Sequence, residues 1–236
     1  MKKNYLAIDT TTEACSVALS CDGNIQSRYT EEPRKHADLV LPMVDELLTD
    51  AGITLTQLNG IAFCQGPGAF TGLRIGAGVV QGLAFSADVP VLGVSTLATM
   101  AQRAHREHKA SHVYAAIDAR MGEIYWGCYW LSENLMLLQG EESVVEPHAV
   151  THSEIVPSIS NNKDEWVGCG TGWAFNEALN SAGIQVSNVY DKMLPHAIDA
   201  LTLAIPGLEA GNGVSAEFAL PHYVRNNVAK KKAEQG

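Results

Sequence analysis

Positive charge is what this chain has least of: 16 lysines and arginines stand against 26 aspartates and glutamates, a net charge of −10. Gripping nucleic acid unaided needs clustered Lys and Arg, so any RNA this chain serves must be held mainly by a partner. The one basic cluster is Lys230-Lys231-Lys232, in a terminal segment of the kind that is usually solvated. No run of eighteen apolar residues exists, which excludes a membrane-spanning helix. Polar and acidic residues arrive by Asp9, too early for a signal peptide, and a cytoplasmic location is expected. Cysteine is sparse and scattered (Cys15, Cys21, Cys64, Cys128, Cys169) with no CxxC pair, so neither a disulfide framework nor a zinc site is predicted. A Gly-x-Ser-x-Gly elbow and a Walker Gly-Lys-Ser/Thr are both missing, which removes the esterase and P-loop readings.

What remains is an ordinary globular composition, 46% hydrophobic over 236 residues. Three short strands open the chain, Tyr5–Asp9, Ala14–Ser20 and Ile25–Tyr29, with Asp22-Gly23 as the hairpin turn between the last two. Apolar residues then recur at helical spacing and predict a helix over His36–Ala51, stopped by Gly52, with Pro42 near its start. Strand Gly60–Gln65, helix Thr71–Ser86, strand Val89–Val94 and a helix from Ser95 to about His105 follow. The second half repeats the opening with strands Val113–Asp118, Glu123–Trp130 and Leu135–Gln139. Helix His152–Ser158, strand Trp166–Gly168, helix Thr171–Ala182 and helix His196–Ala210 complete it. Two βββ-α units in one chain predict a duplicated α/β fold of the actin-like (ASKHA, ribonuclease H-like) class, the second copy shortened. The expected subdomains are 1–105, completed by 195–225, and a reduced 106–194, with a basic tail at 226–236.

The most informative stretch runs from Gly66-Pro67-Gly68 into Thr71-Gly72-Leu73-Arg74-Ile75-Gly76-Ala77-Gly78 and on to Gly82. Thr71 is placed to cap the helix, leaving N–H groups that could meet an anion. Four interior glycines cost a helix roughly 3–4 kcal/mol against alanine, so close packing must offset them. Gly72/Gly76 and Gly78/Gly82 are two i,i+4 pairs that let another backbone come close, and the glycines occupy more than one face; the helix reads either as packed tightly on its own sheet or as also meeting a second protein on one glycine face. Arg74, the only charge between Gly66 and Ala87, reads either as an anion or carboxylate partner or as a snorkelling surface arginine. Asp9 with Thr10 and Thr11, and Asp118 with Arg120, close the first strands of the two copies. In actin-like folds such carboxylates face a Mg–nucleotide, while the plain alternative is a strand-end turn. Gly168-Cys169-Gly170-Thr171-Gly172 could approach an adenosine or form a tight turn. His105, His108 and His112 lie in polar sequence and read as an exposed helix end, not a metal group.

Ala7-Ile8-Asp9-Thr10-Thr11, the glycine run Gly66–Gly76, Asp118-Ala119-Arg120-Met121 and Pro221-His222-Tyr223-Val224-Arg225 together resemble the bacterial TsaB (YeaZ) family, over essentially the whole chain. The resemblance implies a subunit of the machinery that makes threonylcarbamoyladenosine in tRNAs reading codons that begin with A. It implies a heterodimer with the catalytic paralogue TsaD, an ATPase partner TsaE, tRNA reached only through the complex, and a homodimer when alone. That paralogue carries a metal-binding His-x-x-x-His after its Gly-Val strand end. Here Gly93-Val94 is followed by Ser95-Thr96-Leu97-Ala98-Thr99-Met100, so no such centre is expected and no cofactor is required. ATP or ADP with Mg, at the inter-subdomain cleft or the partner interface, is the remaining cofactor expectation, with Asp9, Thr10, Thr11, Asp118 and Arg120 as contacts. The expected partner surface comprises Leu39, Met43, Leu47, Thr71, Arg74, Ile75, Gly78 and Gly82. An actin-like hydrolase or kinase, and a peptidase acting on the paralogue, are the alternative activities.

Overall fold

A computed structural model describes residues 3–150 and 166–224. The expected helix His152–Ser158, Arg225 and the basic tail lie outside the described residues.

Strands β1 (Asn4–Asp9), β2 (Cys15–Cys21), β3 (Asn24–Thr30), β4 (Gly60–Gly66) and β5 (Val91–Ser95) form one sheet in the order β3-β2-β1-β4-β5. Within it β1–β2 and β2–β3 are antiparallel, while β1–β4 and β4–β5 are parallel. The second sheet contains β6 (His112–Arg120), β7 (Glu123–Ser132), β8 (Leu135–Val145), β9 (Trp166–Cys169) and β10 (Asn188–Tyr190), ordered β10-β9-β6-β7-β8. Read from its own meander it is β8-β7-β6-β9-β10, again two antiparallel pairs followed by two parallel ones. The same topology twice in one chain is the duplicated actin-like fold. Sequence reading stopped β8 at Gln139 and passed over β10, a three-residue strand too short to carry a period.

Every residue of β1 is buried because both faces of its sheet are covered. On one face Leu6, Ile8, Val17, Leu19 and Phe63 pack against α1 (His36–Ala51) and α2 (Phe70–Ala87). On the other, the small residues Ala7, Ala18 and Ala62 admit α5 (Ala197–Glu209) through Ala197, Ala200, Leu201 and Ala204. Helix α3 (Thr96–His108) starts at Ser95, whose Oγ accepts hydrogen bonds from the Leu97 and Ala98 N–H groups at 3.1 and 3.2 Å. It carries Leu97, Met100, Ala101 and Ala104 to the second sheet, so one helix bridges the two copies.

Three local expectations are corrected. Pro42 lies in the second turn of α1, not the first, since the helix begins at His36 with Lys35 as its cap. Its missing N–H leaves the Asp38 carbonyl to water on the exposed side, which makes the position tolerable. Thr71 does not cap α2: the helix starts at Phe70 behind Ala69, with no side-chain cap, and Thr71 sits inside it. The single helix expected over Thr171–Ala182 divides into a 3₁₀ turn, Thr171–Phe175, and a short α4 (Asn176–Ser181). The cause is Trp173, fully buried with its Nε1–H donating to the Tyr114 carbonyl at 3.1 Å, beside Gly172 pressed onto Ala116.

Candidate functional site

The two faces of α2 do different work. The inner face, Gly72, Leu73, Gly76, Ala77, Val80 and Ala84, is buried. A methyl group at Gly72 would overlap the Thr10 carbonyl oxygen, and one at Gly76 would come within 2.7 Å of the Thr10 Oγ1. These glycines let the start of α2 lie directly on the loop after β1. The contact is polar as well as steric: the Thr10 hydroxyl donates to the Gly72 carbonyl at 2.8 Å, and the Ala69 N–H donates to the Thr11 carbonyl at 2.7 Å.

That closure places Asp9, Thr10 and Thr11 in the interior of the chain. All three are buried, and Asp9 has no exposed surface. One Asp9 carboxylate oxygen accepts from the Thr11 N–H and hydroxyl at 3.1 and 2.7 Å, and the Cys64 thiol is a further neighbour of the carboxylate. Burial, the dominant cause, pushes the carboxyl above its ordinary pKa despite the two Thr11 bonds. The acid therefore lies beneath the chain's own glycine segment, Gly72 and Gly76 covering the Thr10 side of the loop. Asp118 and Arg120 stay accessible. Asp118 accepts from the Arg120 N–H at 2.8 Å and pairs with its guanidinium at 3.2 Å, at a turn where Arg120 has positive φ. No hydrogen bond or ion pair joins Asp9 to Asp118 among the described residues. The Gly168–Gly172 segment resolves as the tight turn, since Gly168 and Gly172 are packed against Trp173 and Ala116. The histidines are structural: His105 Nδ1 lies 2.9 Å from the Ala110 carbonyl and His108 stacks on Tyr190 at 3.8 Å. Among the described residues no group of three His, Cys, Asp or Glu could hold a metal.

The outer stripe of α2 is Thr71, Arg74, Gly78, Gly82 and Phe85, all exposed, with Phe85 83% so. Space beside Gly78 and Gly82 is open, with nothing within 4 Å of an added Cβ. Nothing inside the chain therefore requires glycine at either position. Arg74 is held on the surface by its own chain: its guanidinium lies 3.9 Å from the Phe70 ring centre and its Nε–H reaches the Tyr223 hydroxyl at 3.5 Å. The C-terminal strap runs alongside, fastened by Gln81 Nε2–H to the Ala219 carbonyl at 3.1 Å and by the His222 N–H to the Gln65 carbonyl at 2.7 Å. It adds Phe218, Leu220 and Tyr223, all exposed, to the same region. These aromatics, with Phe85 and Leu41, were missed in the sequence, although the spacing 71, 74, 78, 82, 85 marks one helical stripe.

On α1, Leu47 has no exposed surface and Met43 is 9% exposed, both packed in the core against the first sheet. Leu39 and Ile75 are half-buried against that core. The exposed residues of α1 include Asp38, Leu41, Pro42 and Asp45.

A family model described as TsaD, tRNA N6-adenosine threonylcarbamoyltransferase, matches residues 30–233. The chain is 47% identical over 228 residues to the tRNA threonylcarbamoyladenosine biosynthesis protein TsaB of Escherichia coli K12, covering 96% of each chain. It is 38% identical over 231 residues to the Haemophilus influenzae protein of the same name, covering 96% of this chain and 95% of that one. A solved Pseudomonas aeruginosa structure, of a protein described as similar to peptidase YeaZ, shares the fold at a TM-score of 0.88 and 49% identity. The match covers 94% of this chain and 100% of that chain.

Proposed function

The chain belongs to the TsaB family, and from that premise we propose that it is a non-catalytic subunit for threonylcarbamoyl transfer to the adenosine beside the anticodon in tRNAs reading codons that begin with A. In this reading it holds and activates the metal-dependent paralogue TsaD in the cytoplasm, together with the ATPase TsaE, and pairs with a second copy of itself when alone. The observation that carries the reading is the open glycine stripe of α2. Gly78 and Gly82 weaken an exposed helix by about 2 kcal/mol relative to alanine, and no contact inside the chain uses their missing side chains. A second backbone lying close against that stripe would.

The net charge of −10 supports a division of labour in which tRNA is gripped by other subunits. Position 95 is a serine spent on capping α3, and Thr99 donates its hydroxyl to the Ser95 carbonyl at 2.8 Å. Those side chains hold a helix in place where a metal centre would need histidines. Asp118 and Arg120, which are accessible, and Asp9 with Thr10 and Thr11, beneath the glycine segment, are the candidate contacts for ATP or ADP with Mg at the inter-subdomain cleft or the partner interface. The test is co-purification of TsaD with Gly78→Phe and Gly82→Phe variants. Both should remain folded and lose the partner; retention of TsaD by both would remove α2 as the docking face.

A further inference from the structure

Beside the start of α2, the β1–β2 loop and the β3–α1 loop enclose a cavity of about 310 Å³ bordered by Thr12, Arg34, His36, Thr71, Gly72 and Ile75. That volume is at the small end of ligand sites. His36 is 7% exposed, and its Nε2 lies 3.1 Å from the Ala14 carbonyl, which fixes the hydrogen on that nitrogen. Nδ1 is left as an acceptor with no partner among the described residues. The wall beyond it is rich in donors. No side chain caps α2, the Ala69 N–H is used by Thr11, and the first helical bond is from the Leu73 N–H to the Ala69 carbonyl. Among the described residues the Thr71 and Gly72 N–H groups therefore have no acceptor, at the positive end of an 18-residue helix. Arg34 on the rim pairs with no carboxylate among the described residues, and the one acidic group in the lining is Glu13.

We propose that this cavity binds a small phosphate-bearing molecule. Phosphate oxygens accept from the Thr71 and Gly72 N–H groups, the Thr71 hydroxyl and the Arg34 guanidinium. A protonated phosphate oxygen donates its hydrogen to His36 Nδ1, giving that nitrogen a donor. Ile75 and Pro33 form an apolar wall for an organic substituent.

The test is titration of the full-length protein with inorganic phosphate, phenyl phosphate and sulfate, followed by the NMR shifts of the His36 ring and by calorimetry. Saturable movement of the His36 signals is expected, with a Kd near 1 mM or tighter, of order −4 kcal/mol. Sulfate, which has no hydrogen to give Nδ1 at neutral pH, should bind roughly tenfold more weakly or worse. Phenyl phosphate, a monoester largely without that hydrogen at neutral pH, is compared with sulfate: tighter binding than sulfate assigns a phosphate ester as the ligand, and binding no tighter than sulfate assigns free phosphate. Arg34→Gln and Thr71→Val, both at exposed positions, should each weaken binding while the fold persists. Absence of a saturable His36 shift, or affinity unchanged in both variants, would overturn the site.

Discussion

Replacing Gly78 and Gly82 together by alanine separates what α2 does for its own chain from what it does for a partner. An added Cβ at either position meets nothing within 4 Å, both residues are exposed, and neither has positive φ. The only effect left on the isolated chain is helix propensity, about 0.8–1 kcal/mol per site, so the double variant should be more stable by about 2 kcal/mol. For a chain of this size that corresponds to a melting temperature higher by roughly 4–8 °C. Thermal and denaturant unfolding of the isolated protein measures it, at a concentration where sedimentation shows a monomer, so that self-association does not contribute. The same two methyl groups project where a partner backbone would approach, so affinity for TsaD should fall although stability rises. Loss of stability in the isolated double variant would mean that the outer glycines serve the chain's own packing. Gain of stability with unchanged partner affinity would mean that the stripe is not the docking face.

On the inner face the sign reverses: Gly72→Ala drives a methyl group into the Thr10 carbonyl and should destabilise by roughly 2–4 kcal/mol in chemical denaturation. Asp9→Asn should leave stability at neutral pH equal to or above the parent, because it removes the penalty of ionising a fully buried acid; a collapse of the fold, or loss of a measurable Mg–nucleotide affinity, would show that the charge is used. Burial first, then the Arg103 and Arg106 charges, lower the pKa of His196 from 6.5 to about 4. The unfolded chain therefore takes up the proton first, and this contribution, present above about pH 6.5, is lost as pH falls to about 4, roughly 3 kcal/mol in all. Asp9 and Asp199, with raised values, act in the opposite direction, so the measurement is the difference in acid stability between parent and His196→Gln.

The helices and strands were largely legible because their patterns are local. The bounds of α1, His36–Ala51, agree with the sequence reading at both ends, and Ser95 is the cap it predicted. The start of α2 was misplaced by one residue because Ala69 caps it without a side-chain bond, leaving no signal to read. The site was less legible. Leu39, Met43 and Leu47 form a clean apolar stripe on α1, but periodicity identifies a buried face without saying whether a sheet or a partner buries it. In the isolated chain the sheet takes Met43 and Leu47 into its core, leaving Leu39 at the edge of that face. Asp9 stands at a strand end, as a nucleotide-binding acid would. What closes it is a glycine contact from residues about sixty positions later, which no local pattern encodes. The duplication was visible in the element order, whereas its two-sheet symmetry emerged only from the strand pairing.

The subunit role is tested most directly by reconstituting threonylcarbamoyladenosine formation on tRNA from TsaD, TsaE and the activated threonylcarbamoyl donor, with this chain present or withheld. A scaffold and activator requires that modification be lost without the chain, return on its addition, and fail to return with Gly82→Phe. Equal modification with and without the chain would contradict it.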